Sequence, residues 1–231
     1  DRMEVGGSLF LQDMPSVAAV DLLGAKIGGD VSANGSTFTG LFNADGMEVG
    51  GGLFLQDMPS VAAVRLLGAK IGGVVSAERS TFTGLFTAAR MEVGSDLFLR
   101  HMEGALGIGL PGVRVGQDLQ LHGSIVSGEV DLTGAEIGGA LELWQGGDDV
   151  RWQEGAALVL RNASAAALQA RMPESWQGAE TGAAIPYDLQ GFPMTGWVGR
   201  PPARITTLRA VTMPRRWWIG CGPNVRRGWK L

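Results

Sequence analysis

A 44-residue repeat restricts the fold of this 231-residue chain more than any other feature of its sequence. The segment that begins at Met3 recurs with few changes from Met47, and MEVGSDLFLR opens a third copy at Met91. Internal repeats of this length are typical of solenoids, in which each structural unit packs on its neighbours along the chain. We therefore expect one elongated, stacked architecture for the repeated part of the chain.

Each copy divides into 11-residue modules with a fixed apolar pattern. In the first module the apolar residues are Val5, Leu9 and Leu11, and apolar residues stand four and six positions after the first throughout the array. This alternation of period two, interrupted by glycine, predicts short β-strands with one buried face and excludes helices. We expect the first position of each module to point inward, at Val5, Ser16, Ile27, Phe38, Val49, Ser60, Ile71, Phe82, Val93, Gly104, Val115, Val126 and Ile137.

The charged residues indicate how many modules form one coil. The residue before the first apolar position, taken every 22 residues, alternates in sign along the whole array: Glu4, Lys26, Glu48, Lys70, Glu92, Arg114 and Glu136. With 22 residues per coil these side chains would lie in one column about 4.8 Å apart, each between opposite charges. With a single module per coil, Pro and Thr would interrupt the column. The pattern predicts a four-sided coil made of two modules.

Two short motifs resemble known repeat families. Ala25-Lys26-Ile27-Gly28-Gly29 and its copy from Ala69 to Gly73 are similar to the unit of pentapeptide-repeat proteins, although every second unit here has six residues. That resemblance implies an all-β, single-stranded, right-handed quadrilateral β-helix. The GAxIGGxLxLxGA rhythm, with residues 158–163 and 188–192, more closely resembles a bacterial family loosely named "membrane-associated oxidoreductase". The resemblance covers Met3 to Phe192, and its motifs are structural, so no catalytic residue carries over.

The sequence divides into three parts. We expect a regular β-solenoid over residues 1–143, degenerate final coils and a cap over 144–191, and a basic, Trp- and Arg-rich tail over 192–231. Within the cap region, Ala165 to Met172 reads as a short helix or a capping turn. Seven tryptophans occur in the chain, none before Trp144, and large aromatics would cover the open end of a solenoid.

The tail contains eight Arg and Lys residues and no acid. Its segment Arg215-Arg216-Trp217-Trp218 combines charge with interfacial aromatics, which suits an arm that binds a membrane surface, with nucleic acid as the less favoured partner. The alternative is a divergent, unstructured C-terminus. The single cysteine, Cys221, excludes an internal disulfide framework and fits a reducing compartment. We expect a cytoplasmic protein, with peripheral membrane binding through the tail as the alternative. Because the chain begins in the middle of a repeat, we also expect that the protein has residues before Asp1.

No motif in the sequence predicts a catalytic, cofactor or metal site. The segment from Gly107 to Gly112 matches G-x-G-x-x-G, but Ile108 and Leu110 occupy inward positions of the module, so we attribute the match to the repeat. The two histidines, His101 and His122, occupy turn positions, and we predict no metal set from them and the distant cysteine.

A column of phenylalanines is the strongest candidate for a binding surface. Phe10, Phe54 and Phe98 should point outward and alternate with Ser32 and Ser76, and exposed aromatics on a rigid face can anchor a partner. Coverage by a neighbouring loop or self-association, through this column or the solenoid ends, is the alternative. Our leading hypothesis is a non-enzymatic protein-interaction or scaffold module. The alternatives are an oxidoreductase or accessory subunit, and a DNA mimic that binds topoisomerase as some pentapeptide-repeat proteins do.

Overall fold

The chain folds into a four-sided β-solenoid in which equivalent positions of successive regular coils are 22 residues apart. The computed structural model describes residues 3–170, 187–193 and 197–198, the last pair as backbone only. Most strands contain two or three residues and pair in parallel with a strand of the next coil, as in Lys26↔Glu48 and Val31↔Leu53. The predicted all-β fold and coil length are confirmed, and the described residues contain no helix. The right-handed sense stays a prediction.

Four parallel ladders, here called faces A to D in chain order, enclose the core. Face A contains β1 (Glu4–Val5), β4 (Lys26–Ile27), β7 (Glu48–Val49), β10 (Lys70–Ile71), β13 (Glu92–Val93), β16 (Arg114–Val115) and the first residues of β20 (Glu136–Glu142) and β25 (Ser164–Gln169). Face B contains β2 (Leu9–Phe10), β5 (Val31–Ser32), β8 (Leu53–Phe54), β11 (Val75–Ser76), β14 (Leu97–Phe98), β17 (Leu119–Gln120), the last residues of β20 and β25, and β27 (Trp197–Val198).

The other two faces share longer strands. Face C contains the first residues of β6 (Thr37–Asn43) and β9 (Ser60–Arg65), isolated bridges such as Val61↔Phe82, and then β18 (Ile125–Val126) with β23 (Arg151–Trp152). Face D contains β3 (Val20–Asp21), the last residues of β6 and β9, β12 (Leu85–Thr87), β15 (Gly107–Gly109), β19 (Glu129–Asp131), β24 (Ala157–Val159) and β26 (Tyr187–Asp188).

No helix in the described part of the chain is long and apolar enough to cross a bilayer.

The inward positions of face C differ from the predicted ones. Strict repetition of the module placed Ser16, Ser60 and Gly104 inside, but Val61 takes the inward position and pairs with both Phe38 and Phe82. Val61 is fully buried as a result, whereas Ser60 is partly exposed. A one-residue shift exchanges the two sides of a strand, and burying valine rather than serine favours the shifted register. Val17 and Ala105 replace Ser16 and Gly104 in the same way.

A column of glycines along face A allows the coils to approach closely. A Cβ at Gly72 would lie 2.4 Å from the carbonyl oxygen of Gly50, and a Cβ at Gly50 would lie 2.3 Å from that of Gly28. These glycines have no positive φ, so the close approach of the neighbouring coil is what requires them. The column consists of Gly6, Gly28, Gly50, Gly72, Gly94, Gly116 and Gly138.

The regular coil spacing is interrupted after Leu143. Glu136 pairs with Ser164 instead of with Leu158, which lies one regular coil further on, because extra residues are inserted between the two coils. Part of the insertion is an antiparallel hairpin of β21 (Trp144–Gln145) and β22 (Asp148–Asp149). The helix or capping turn expected from Ala165 is wrong for the residues of β25, which form a strand. Its alanines favour a helix locally, but pairing with the exposed edge of β20 outweighs that preference.

We expect Val75→Asp to destabilise the solenoid strongly, because Val75 is fully buried and an aspartate there would be an unpaired charge in the core. The cost should be about 3–5 kcal/mol. The matched control is Val74→Asp, because Val74 is partly exposed just before β11 and its counterpart in the first copy is Asp30. Thermal denaturation followed by circular dichroism should show a large loss for Val75→Asp and little change for Val74→Asp. Equal melting temperatures would contradict the assigned inward face.

We also expect Gly72→Ala to lower the stability by about 1–3 kcal/mol, since the new methyl group would collide with the Gly50 carbonyl. Gly6→Ala is the control, because a Cβ at Gly6 meets nothing within 4 Å. Chemical denaturation of both variants and the wild type measures the difference. A Gly72→Ala protein as stable as the Gly6→Ala protein would show that the coils can separate without cost.

Candidate functional site

Face A carries a shallow groove along the solenoid, and the predicted ladder of alternating charges forms part of its lining. Lys26 Nζ lies 3.5 Å from Glu48 Oε2, and Arg114 lies 3.6 Å from Glu92 and 3.2 Å from Glu136. The order of the predicted column is confirmed by the pairing of these residues in adjacent strands. All of these side chains are about half exposed, so each pair contributes less than about 1 kcal/mol and serves mainly to fix the register.

The phenylalanine column lies on face B. Phe10 is 66% exposed, whereas Phe54 and Phe98 are partly buried. The ring of Phe54 folds over Gly52, and the guanidinium of Arg100 lies 4.8 Å from the centroid of the Phe98 ring. Two of the three aromatic rings are therefore covered by their own face.

Between the phenylalanines, Ser32 and Ser76 are buried and hydrogen-bonded. Gln12 Nε2 donates to Ser32 Oγ at 2.7 Å, and Gln56 Nε2 donates to Ser76 Oγ at 2.8 Å. The repeat thus reproduces the same contact one 44-residue copy later. These bonds hold the glutamine side chains flat against face B.

Face B continues into a buried polar network. Glu78 forms an ion pair with Arg100 and accepts a hydrogen bond from Gln56 Nε2 at 3.0 Å. Arg100 also donates to Gln120 Oε1 at 3.1 Å. In the next coil Glu142 stands directly beside Gln120, so the network places a buried carboxylate at its far end.

Only one carboxylate oxygen of Glu142 accepts a hydrogen bond within the described part of the chain, from Gln169 at 3.4 Å. Glu142 is 4% exposed, and its Oε2 atom has no hydrogen-bond partner among the described residues. Burial raises the pKa of Glu142 above its ordinary value, and the negative charge of Asp118 raises it further. The folded protein therefore disfavours the ionised form of this side chain.

At the corner between faces B and C, the fold brings together three residues that are far apart in sequence. His101 and His122 form an edge-to-face pair with ring centroids 5.6 Å apart, and the ligand atoms of His101, His122 and Asp148 all lie within 4.8 Å of one another. His122 is only 5% exposed, and neither ring nitrogen has a hydrogen-bond partner among the described residues. Burial lowers the pKa of His122, with further lowering by His101 and Arg100, so its neutral form is favoured.

The sequence does not predict that these three residues meet, although the spacing of the two histidines indicates that those two are neighbours. The two histidines are separated by one position less than a full coil, which places them in adjacent coils at neighbouring positions. Asp148 could not be placed, because the hairpin that carries it departs from the repeat. Its position depends on the folded turn.

An uncharged apolar strip follows the corner between faces C and D. Leu85 and Leu106 are 51% and 56% exposed, and they lie in adjacent coils, joined by a hydrogen bond from Leu106 N to Gly84 O. The remaining positions of the strip contain only glycine, alanine and leucine. We define the apolar corner as Ala18, Ala19, Gly40, Leu41, Ala62, Ala63, Gly84, Leu85, Leu106 and Gly107.

Two other segments were singled out in the sequence: the glycine-rich motif and the segment of arginines and tryptophans near the C-terminus. The glycine-rich motif that begins at Gly107 contributes β15 and the turn after it, with Ile108 and Leu110 fully buried as the module predicts. Arg215, Arg216, Trp217 and Trp218 lie outside the described residues.

We expect Glu142→Gln to stabilise the fold at neutral pH. Below the ordinary pKa of a glutamic acid both states of the wild type are protonated; above it the unfolded chain loses its proton first, so stability falls as the pH rises toward the raised value. The glutamine should therefore raise stability at pH 7 by on the order of 1 kcal/mol and change little below about pH 4. Melting curves across this range, with exposed Glu129→Gln as control, measure the effect. A gain that does not depend on pH would contradict the assignment.

Comparison of this chain with protein-family models, with curated proteins and with solved structures finds no match. No catalytic or binding residue is therefore transferred from a relative. The phenylalanine column, the histidine pair with Asp148 and the apolar corner are candidate sites on the basis of their geometry in this chain alone.

Proposed function

We propose that this chain is a rigid, non-enzymatic interaction module that binds a protein partner through the apolar corner. The exposure of Leu85 and Leu106 on an uncharged strip is the observation that carries this proposal. Exposed apolar side chains gathered in one continuous strip favour contact with a partner, because water is released when such a surface is covered.

The composition of the corner supports binding rather than mere tolerance of apolar residues. Faces A, B and D each carry charged side chains, such as Lys70, Arg100 and Arg65. The corner has none over five successive coils, from Ala18 to Gly107. Depletion of charge at the centre of a surface is typical of protein interfaces.

The solenoid also fixes the shape of this surface. Glycines at the corner are required by close approach, since a Cβ at Gly84 would lie 2.0 Å from the carbonyl oxygen of Ala62. Leu85 lies against Gly107 in the next coil. A surface that is ordered before binding loses little conformational entropy when the partner binds.

The proposal includes a right-handed coil and a cytoplasmic location. The resemblance to pentapeptide-repeat proteins supports the right-handed coil, and the single cysteine supports the cytoplasmic location. Peripheral membrane association through the segment from Arg215 to Trp218 is compatible with a scaffold that presents its partner at a surface.

Site-specific photo-crosslinking tests the proposal. A photoreactive amino acid replaces exposed Thr83, beside Leu85, or exposed Lys70 on face A, and each protein is irradiated in a lysate of the source cells. We expect a discrete crosslinked product from position 83 and none from position 70. Excess wild-type chain should compete the product away, whereas excess Leu85→Glu/Leu106→Glu chain should not.

The matched control is Leu23→Glu, because Leu23 is 60% exposed but lies at the corner between faces D and A. It should compete as well as the wild type. Exposed substitutions change stability by less than about 0.5 kcal/mol, so all competitors should remain folded. Equal products from positions 83 and 70, or full competition by the double variant, would refute the assigned surface.

A further inference from the structure

We propose that His101, His122 and Asp148 form a binding site for a divalent transition-metal ion of the zinc type. This site lies at the corner between faces B and C and is distinct from the apolar corner. Two imidazole nitrogens and one carboxylate oxygen are a donor set that zinc accepts, whereas calcium and magnesium prefer oxygen donors alone.

The three residues are also the places where the repeat changes. In the column of His101 the two earlier copies have Asp13 and Asp57, and in that of His122 they have Asn34 and Glu78. Asp148 belongs to the hairpin inserted after Leu143. Three separate departures from the repeat therefore meet at one point.

The buried histidine lacks the partners that an imidazole inside a protein normally has. Both ring nitrogens of His122 are inaccessible to solvent and have no hydrogen-bond partner among the described residues. Leaving buried polar atoms unsatisfied costs free energy, so such groups in folded proteins usually have an unobserved partner or a ligand. A metal ion bound to one nitrogen would supply that partner.

The local backbone holds His101 toward the same point. His101 has a φ of 54°, and its amide donates to the carbonyl oxygen of His122 at 3.2 Å. Its ring lies over Gly123, where a Cβ would be 2.3 Å from Nδ1. The absence of a side chain at Gly123 therefore creates the space that the His101 ring occupies.

Only small movements would complete the coordination. Zinc lies about 2.0–2.2 Å from nitrogen and oxygen ligands, so in a tetrahedral site the ligand atoms are roughly 3.3 Å apart. The present separations are at most 4.8 Å, and His101 and Asp148 are both exposed and able to change rotamer. Three protein ligands would leave a fourth position for water or for a group from a partner.

The nearby cations do not oppose this assignment strongly, because each is already paired. Arg79 donates to both carboxylate oxygens of Asp57, at 2.7 and 2.9 Å. Arg100 is paired with Glu78. The carboxylate of Asp148 supplies negative charge where the metal would bind.

Isothermal titration of the full chain with Zn²⁺, after removal of any histidine tag, tests the proposal. We expect one ion per chain with a dissociation constant in the micromolar range or below. His122→Gln, which introduces the residue found at Gln12 and Gln56 in the same column, and Asp148→Asn should each weaken binding by at least about tenfold. Replacement of Zn²⁺ by Co²⁺ should give the visible absorption of a four-coordinate site in the wild type, and this absorption should be lost in the His122→Gln and Asp148→Asn variants.

Two control variants separate this site from other donors. Glu103→Gln removes an exposed carboxylate that lines the same surface pocket as His101 but lies outside the cluster, and Cys221→Ser removes the only thiol. Both should bind Zn²⁺ as the wild type does, and saturating Zn²⁺ should raise their melting temperatures. If His122→Gln proves misfolded by circular dichroism, the exposed Asp148→Asn variant decides. No binding by the wild type, or undiminished binding by Asp148→Asn, would overturn the proposal.

Discussion

Hydrogen bonding between each coil and the next is the interaction on which the rest of this structure depends. The amide of Glu48 donates to the carbonyl of Ala25, and the amide of Lys70 donates to that of Met47, in the same geometry one coil later. Because strands of two or three residues bury little surface alone, each coil is stable only against its neighbours. Regular stacking turns every position of the sequence into a vertical column, and the properties of each column follow from the residues that repeat in it.

The columns impose different demands on the side chains. The glycine column of face A exists because a methyl group would collide with the coil beside it, and the charge column exists because like charges at this spacing would repel. A core column can contain side chains of different size in successive coils. Buried Ser80 donates to the carbonyl of Leu55 and accepts from the amide of Met58, its neighbour in the column. A small polar residue can therefore alternate with a large apolar one without leaving its hydroxyl unsatisfied.

Where one residue departs from the pattern of its column, the change affects that position and leaves the fold unchanged. The backbone amide and carbonyl groups are already hydrogen-bonded between coils, so a change of side chain at one outward position leaves the stacking of the coils intact. His101 and His122 replace other polar residues without altering the path of the chain around them, and the hairpin that carries Asp148 is inserted without ending the solenoid. A regular array is therefore well suited to carry a binding site, since it holds a few substituted side chains at fixed positions.

The sequence alone determined the strands, the coil length and most of the inward side chains, because period-two alternation and the alternating charges of Glu48 and Lys70 depend only on the repeat. It did not determine the register of face C, where choosing Val61 over Ser60 required comparing the burial of two neighbouring residues across a pair of coils. The expectation of a helix or a capping turn from Ala165 was wrong for the residues of β25, since alanines favour a helix until a strand edge is available beside them. The meeting of His122 with Asp148 was decided only by tertiary structure, because an insertion has no position in the repeat until the turn that contains it has folded.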